Sequence, residues 1–184
     1  SLIGVPGLFK CWRKGNIGIL NAIGTGIADD KVVYSYVNKM IVYYLGEQPV
    51  LNQVETYLCH DEIQKKYVIE NISKLVVKPA NASGGYGIMI GPKAPKEERE
   101  EVIKKIKKNP REYIAQPLET LSTAPTITKD DIEPRHLDLR PFILSGKSTY
   151  VTTGGLTRVA LRKGSTIVNS SQGGGSKDTL VVDV

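Results

Sequence analysis

The chain has 184 residues, of which 40% are hydrophobic and 24% charged, and these proportions exclude a collagen-like or broadly disordered chain. Its two cysteines are too few for a disulfide framework, and no run approaches the ~20 apolar residues of a membrane span, so the sequence predicts a cytoplasmic protein without a membrane partner. The formal net charge of +6 favours anionic partners, which include nucleic acid, acidic lipid headgroups and the polyphosphate of a nucleotide.

The most regular pattern in the first part of the chain predicts a helix over residues 31–45. Apolar residues recur there at three- and four-residue steps, Asp29 or Asp30 is a suitable N-terminal cap, and Gly46 is a C-terminal stop. The other elements predicted before Pro79 are a strand, an extended connection, a short helix and a strand: 17–20, 49–58, 61–71 and 74–78.

The second part of the chain predicts mainly strands. Glycine-rich residues 84–87 follow the strand 74–78 and precede an apolar run, which indicates a strand, a loop and a second strand. Pro95 opens a helix with acidic first turns and lysines in its last turns, as the helix macrodipole favours. Further strands are predicted at 113–118, 137–144, 149–153, 156–161 and 179–184, with a polar connection over 121–131 and a glycine-rich loop over 169–178. This order indicates an α+β chain with a small lobe inserted at about 72–119.

The segment from Lys78 to the glycine loop is a candidate phosphate site. Lys78 is a charged residue at the end of an apolar strand, and backbone N–H groups in a loop without Cβ atoms can point at phosphate oxygens. The loop is neither a P-loop nor a dinucleotide fingerprint, because no Gly-Lys-Ser/Thr follows it and a strand rather than a helix comes next. An ordinary glycine hairpin is the alternative interpretation.

A second candidate site lies on the strand that contains residues 135–140. Strand alternation places His136, Asp138 and Arg140 on one face. A guanidinium there could hold a phosphate through two hydrogen bonds, while Asp138 orients it or reaches a metal. The alternative is an ion pair on a solvated edge strand, which stabilises little.

A third cluster combines an arginine with two glycine-rich stretches. Arg158 follows the pair Gly154-Gly155, and residues 169–177 supply amides, hydroxyls and bare backbone. That composition suits the binding of oxyanions, although a disordered linker would also explain the triple glycine. The lysines of residues 104–108 are interpreted as the solvated face of a helix.

Taken together, these segments resemble the ATP-grasp superfamily. An Asn-containing segment at 19–22 precedes Asp30-Lys31, and this order resembles the circularly permuted ATP-grasp proteins related to glutathionylspermidine synthetase and other carboxylate–amine ligases. The resemblance covers nearly the whole chain and rests on these segments: 19–26, 28–31, 76–79, 84–87, 114–117, 138–140, 154–158 and 169–178.

The resemblance implies an ATP-grasp-like fold with a small β-loop-β-α-β lobe inserted in a mixed-sheet core. Its implied domains are a permuted core segment, a small lid lobe and a core sheet with phosphate-facing loops: 1–71, 72–119 and 120–184. ATP and Mg²⁺ are the implied cofactors. The implied cofactor-binding residues are Lys31, Lys78, Gly84, Gly85, Tyr86, Gly87, Gln116, Leu118, Glu119 and Asn169. The implied catalytic residues are Arg140 and Arg158, and the implied metal ligands are Asn21 and Asp138.

The resemblance also implies a role for each of these residues and a reaction. The two lysines contact the ATP phosphates, and residues 84–87 close over them. Gln116 and the backbone near Leu118 meet adenine, with Glu119 near the ribose. The two arginines face the γ-phosphate and an acyl phosphate. The implied reaction activates a small-molecule or peptide carboxylate as an acyl phosphate for attack by an amine.

The metal site departs from the family pattern. The family usually pairs this Asn with a Glu two residues earlier, whereas Ile19 stands there and nothing acidic precedes Asp29. We therefore expect the chain to be the C-terminal portion of a longer protein, with the missing N-terminal segment as a partner and little activity alone. Two other functions stay open: a non-catalytic nucleotide-binding or scaffolding remnant, and a basic nucleic-acid-binding domain. The last is not expected, because exposed aromatic residues are not grouped with the basic ones.

Overall fold

The computed structural model describes residues 4–21, 23–82, 84–129, 131–169 and 173–180. The chain divides into two compact units, Ser1–Glu55 and Thr56–Val184. The described part of the first unit is helical, and the second unit combines helices with two four-stranded antiparallel sheets, which confirms the predicted α+β class. No helix in the described ranges is long and apolar enough to cross a membrane.

The helices of the first unit begin and end at local capping signals. Asp30 caps a helix as predicted, because its carboxylate accepts a hydrogen bond from Val32 N at 2.8 Å. Gly46 ends the next helix with a left-handed φ of 67°, also as predicted. The elements are α1 (Leu8–Arg13), a 3-10 helix (Thr25–Asp29), α2 (Lys31–Tyr34) and α3 (Val37–Leu45).

Two predictions for the first unit are wrong. The single helix expected over 31–45 is divided into α2 and α3. At the break the Ser35 hydroxyl donates to Val32 O at 2.7 Å, a local bond that competes with the helical backbone. Residues 17–20 form no strand, and they pair with no strand in the described part of the chain.

The first sheet of the second unit contains the two strands that the glycine loop connects. Its elements are β1 (Tyr57–Leu58), α4 (Glu62–Glu70), β2 (Leu75–Pro79), β3 (Met89–Ile90), α5 (Lys96–Lys108), a 3-10 helix (Pro110–Glu112) and β4 (Tyr113–Pro117). The strand order is β1-β4-β2-β3, and residues 84–87 lie in the connection between β2 and β3, as the sequence predicts. Both predicted helices of this region are present, and Asp61 caps α4 by accepting from Gln64 N at 2.9 Å.

One face of this sheet packs against α4 and α5. Val68 of α4 and Ile106 of α5 are fully buried against Val77, Met89 and Ala115 of the strands. A fully buried aliphatic side chain of this size contributes about 2 kcal/mol. Because side chains alternate along a strand, the residues between these core positions point to the opposite face of the sheet.

The second sheet is built from the last third of the chain. Its strands are β5 (Thr123–Ile127), β6 (Ile132–Ser145), β7 (Thr149–Ala160) and β8 (Gly174–Lys177), in the order β5-β6-β7-β8. A tight turn joins β6 to β7, at the position that the sequence predicts, and Gly146 N donates to Ser148 O there at 3.0 Å. The long β6–β7 pair forms the centre of this sheet.

Several strand predictions are wrong in this part of the chain. The two strands expected at 149–153 and 156–161 are one strand, because the glycine pair between them stays in the ladder and Gly155 lies opposite Pro141. The polar connection 121–131 contains β5, and the glycine-rich loop 169–178 contains β8.

The end of the chain and the sheet type also differ from expectation. Thr179 and Leu180 are not in a strand, and residues 181–184 of the expected closing strand lie outside the described residues. A mixed sheet was expected, but every strand pairing within the described ranges is antiparallel. Antiparallel strands can be joined by a short turn, which agrees with the turn between β6 and β7.

Candidate functional site

Lys78 and Gln116 lie together on the face of the first sheet opposite the α4 and α5 core. The register places Val76 opposite Gln116 and Lys78 opposite Ile114. Lys78 Nζ donates to Gln116 Oε1 at 2.6 Å, and Gln116 Nε2 donates to Thr56 Oγ1 at 2.9 Å. Since Gln116 is 7% exposed, its amide is a fixed partner for the lysine. The ammonium group is thereby held at the end of β2.

The glycine loop approaches the same end of β2. The φ values of Gly84, Gly85 and Gly87 are 71°, 79° and 71°. Residues that carry a Cβ rarely adopt this left-handed backbone conformation. A Cβ on Gly87 would lie 2.9 Å from Cγ of Pro79, the residue after Lys78. Tyr86 is 69% exposed at the tip of the loop. The structure therefore brings the predicted lysine and the predicted loop together.

A row of polar residues crosses the second sheet. Asp138 on β6 lies opposite Arg158 on β7, which in turn lies opposite Ser176 on β8, so the three share one face. Arg140 shares that face with Asp138, as the alternation of the strand predicts. Arg140 Nη2 donates to Asp138 Oδ2 at 3.1 Å. This arrangement places two guanidinium groups and one carboxylate on neighbouring strands.

His136 extends the row but has a structural partner. Its Nδ1 lies 2.8 Å from Leu121 O, in the connection before β5. That hydrogen bond links β6 to the preceding segment, which fits a structural histidine better than a catalytic base.

Arg158 has an incomplete set of hydrogen bonds. Its Nη1 donates to Asn169 Oδ1 at 2.7 Å, whereas its Nε is buried and has no hydrogen-bond partner among the residues that the structure describes. Asn169 is held in place from behind, because Gly174 N donates to Asn169 O at 3.0 Å. Residues 170–172 of this loop lie outside the described residues. A buried N–H without a partner is costly, and a bound anionic oxygen would satisfy it.

An ion-pair network of one buried and two more exposed side chains lies beside this row on the second sheet. Arg135 is 6% exposed, and it donates to Glu133 and, through Nε, to Leu161 O at 3.0 Å. Hydrogen bonds from Arg135 and Lys163 lower the pKa of Glu133 from its ordinary value. Sequence reasoning missed this network. Glu133 and Arg135 are two residues apart on β6, but Leu161 and Lys163 reach them only through the pairing of β6 with β7.

The remaining predicted residues lie elsewhere in the chain. Leu118 and Glu119 are exposed directly after β4, two and three residues beyond Gln116. Lys31 is the first residue of α2, and Asn21 has a left-handed φ of 67°; both belong to the Ser1–Glu55 unit. The roles predicted for these four residues stay predictions.

The comparison with known families decides the identity of the fold. Residues 1–160 match the model of the family described as circularly permuted ATP-grasp type 2. The chain belongs to this circularly permuted ATP-grasp family. The resemblance seen in the sequence is thereby confirmed.

The relatives are longer than this chain. An uncharacterized protein of Synechocystis sp. is 57% identical over 183 residues, which make up 99% of this chain and 38% of that protein. An uncharacterized protein of Mycobacterium tuberculosis is 51% identical over 183 residues, 99% of this chain and 33% of that protein. A protein of Frankia casuarinae named "Putative glutamate--cysteine ligase 2-2" is 50% identical over 179 residues, 97% of this chain and 21% of that protein. The chain thus spans 38% at most of these three relatives.

Members of the ATP-grasp family generally use ATP and Mg²⁺. The described side chains do not by themselves complete a magnesium site, since no group of three or more His, Cys, Asp or Glu residues lies together among them. Asp138 and Asn169 offer one carboxylate and one amide oxygen, and each accepts a hydrogen bond from an arginine. The ligand roles predicted for Asn21 and Asp138 therefore stay predictions.

Sequence reasoning missed two residues that organise these groups. Thr56, the residue just before β1, orients Gln116, and no local pattern in the sequence marks it. Gly174 N donates to Asn169 O, whereas the sequence indicated only that this stretch supplies bare backbone.

Proposed function

We propose that this chain carries the phosphate-binding part of an ATP-dependent carboxylate–amine ligase. In the first step a carboxylate oxygen attacks the γ-phosphorus of ATP, the bond from that phosphorus to the β–γ bridging oxygen breaks, and ADP leaves with the electron pair. In the second step an amine nitrogen attacks the acyl carbon, the bond to the phosphate oxygen breaks, and inorganic phosphate leaves while the amine gives a proton to solvent. The name of the Frankia relative supports this class of reaction.

The single observation that carries the proposal is the environment of Arg158. Within the described ranges its buried Nε has no hydrogen-bond partner, and Asn169 accepts from its Nη1 at 2.7 Å. An unsatisfied buried donor costs about 1–3 kcal/mol, and an anionic oxygen of the γ-phosphate or of the acyl phosphate would remove that cost. Arg140 on the neighbouring strand would add a second cation. Positioned cations are the main catalytic requirement of phosphoryl transfer.

The other predicted residues complete the proposed nucleotide site. Lys78 meets the ATP phosphates at the end of β2, and residues 84–87 close over them. Lys31 is a further proposed phosphate contact. Leu118 and Glu119 contact adenine and ribose after β4. The hydrogen bond to Gln116 and the left-handed glycines support the phosphate part of this arrangement.

The test compares two arginines that differ in burial but not in charge. Arg158→Gln should raise the Kd for Mg-ATP, measured by isothermal titration calorimetry, about tenfold or more, because a hydrogen bond to a charged group contributes ~1.5–3 kcal/mol. Arg162 lies four residues after Arg158 and is exposed, so Arg162→Gln should leave the Kd within about twofold. Equal Kd values for Arg158→Gln and the unsubstituted protein would contradict the proposal.

A non-catalytic nucleotide-binding protein is the second candidate function. The incomplete set of carboxylates for Mg²⁺ among the described residues favours it. Both functions predict ATP binding, but only the ligase predicts ADP release when candidate acids and amines are supplied. ATP binding without any ADP release in such an assay would favour the second function.

A further inference from the structure

Three side chains form a continuous hydrogen-bonded line on the first sheet, from the residue just before β1 through β4 to β2. β1 pairs with β4 so that Tyr57 lies opposite Ala115, and one step further along this register Thr56 falls opposite Gln116. On the other side of β4, Lys78 is the diagonal neighbour of Gln116. The line runs from Thr56 Oγ1 through the amide of Gln116 to Lys78 Nζ, with distances of 2.9 Å and 2.6 Å.

The chemistry of the amide gives this line a direction. A glutamine amide has one oxygen that accepts and one nitrogen that donates, and an ammonium group can only donate. The Gln116 oxygen must therefore face Lys78, and its nitrogen needs an acceptor on the other side. The Thr56 hydroxyl supplies that acceptor, so Thr56 holds the amide in the orientation that the lysine requires.

We propose that Thr56 and Gln116 are positioning residues for the phosphate-binding ammonium of Lys78, and that Gln116 does not contact adenine. The proposal rests on the proposed function, in which Lys78 meets ATP phosphates. Gln116 is 7% exposed and its oxygen and nitrogen are both engaged within the protein, so neither end is presented to a purine base. Adenine recognition then falls to the segment after β4, which contains Leu118 and Glu119.

The test uses one ligand with a base and one without. Mg-ATP and Mg-tripolyphosphate are titrated by calorimetry into the unsubstituted protein and into Thr56→Val, Thr56→Ser and Gln116→Met. Thr56→Val keeps the shape of the side chain and removes the acceptor, whereas Thr56→Ser keeps the hydroxyl. Thr56→Val and Gln116→Met should weaken both ligands by the same factor, about three- to tenfold, and Thr56→Ser should stay within about twofold.

A double-substitution cycle separates positioning from a general loss of structure. In a protein that already carries Lys78→Ala, Thr56→Val should cause no further loss of tripolyphosphate affinity, because the residue acts through the lysine. If Gln116→Met weakened ATP but left tripolyphosphate unchanged, Gln116 would contact adenine and the proposal would be overturned. An equal loss from Thr56→Val with and without Lys78 would overturn it as well.

A second measurement needs no nucleotide and distinguishes the two proposals. The rate of acetylation of Lys78 by acetic anhydride is followed by mass spectrometry, with exposed Lys74 as the internal reference. Thr56→Val should raise the Lys78 rate relative to Lys74, and Thr56→Ser should restore it. If the unsubstituted protein bound neither ligand, the proposed function would fail, and an unchanged Lys78 rate in Thr56→Val would overturn the positioning role independently.

Discussion

Asn169 can reach Arg158 because the backbone behind it closes tightly. Gly174 N donates to Asn169 O, and a Cβ on Gly174 would lie 2.3 Å from Val168 O and 2.9 Å from Asn169 O. No side chain larger than hydrogen fits at this position without movement of the backbone. The glycine therefore acts on Arg158 indirectly, by fixing where the Asn169 amide stands.

We expect Gly174→Ala to weaken Mg-ATP binding, but by less than Arg158→Gln, because it displaces Asn169 and leaves the Arg158 guanidinium in the protein. It should also lower the free energy of unfolding by about 1–3 kcal/mol, because the loop must shift to admit the methyl group. Titration calorimetry and urea unfolding measure the two effects. Gly154→Ala is the matched control, because no atom of the described residues lies within 4 Å of a Cβ at that position. Wild-type affinity in Gly174→Ala would show that the loop does not position Asn169.

At the scale of elements, α5 is held to its sheet by a narrow apolar stripe. Its exposed side carries ion pairs such as Lys105 with Glu101 at 2.7 Å, which stabilise little, whereas Ile106 is completely buried in the core. The stability of this sheet, and with it the position of the Lys78 strand, depends on the buried side of the helix.

Ile106→Ala should therefore lower the free energy of unfolding by about 2–5 kcal/mol, because it removes buried methyl groups and leaves a cavity. Urea unfolding followed by circular dichroism is the measurement. The control is Ile63→Ala on α4, whose side chain is 83% exposed, and it should change stability by at most about 0.5 kcal/mol. A similar effect of the two substitutions would mean that α5 does not pack as described.

Among the secondary-structure elements, those with local signals could be predicted from the sequence, and those that depend on pairing with distant strands could not. Helix starts were predictable because their caps are local, as Asp30 and Pro95 illustrate. Strands β5 and β8 were missed because Pro125 and three glycines argue locally against a strand, and only pairing with β6 and β7 makes them strands. Gly155 lies so close to β6 that a Cβ would stand 3.0 Å from Arg140 O, so the expected break is a close contact within the ladder.

The residues of the candidate site also fall into a predictable group and an unpredictable one. The Lys78 strand with its glycine loop and the shared face of Asp138 and Arg140 follow from local spacing, and the structure agrees with both placements. The partners Thr56 and Asn169 reach these residues only through contacts between distant segments. Long-range register cannot be read from one sequence, and it decides which polar side chains meet.

Each of the two units contains one cysteine, and the two cysteines differ in their exposure to solvent. Cys11 is exposed in the first unit, whereas Cys59 is completely buried in the core of the second. Burial raises the pKa of the Cys59 thiol to about 12. The reactive thiolate is therefore suppressed at Cys59 throughout the neutral and mildly alkaline range.

With iodoacetamide at about pH 8, Cys11 should be alkylated rapidly and Cys59 only after unfolding, because its thiol is buried and protonated. Peptide mass spectrometry in the presence and absence of urea measures both rates. In urea the two cysteines should react at similar rates. Rapid alkylation of Cys59 in the native protein would contradict the described core of the second unit.

The most informative experiment measures whether Lys31 and Lys78 each contribute to the binding of Mg-ATP. Equilibrium titration of the 184-residue chain with Mg-ATP compares Lys31→Ala, Lys78→Ala and the exposed control Lys74→Ala. We predict that the first two each raise the Kd about tenfold, as the loss of a charge-assisted phosphate contact would, and that Lys74→Ala leaves it within about twofold. An unchanged Kd in Lys78→Ala, or no Mg-ATP binding by the unsubstituted chain, would contradict the account.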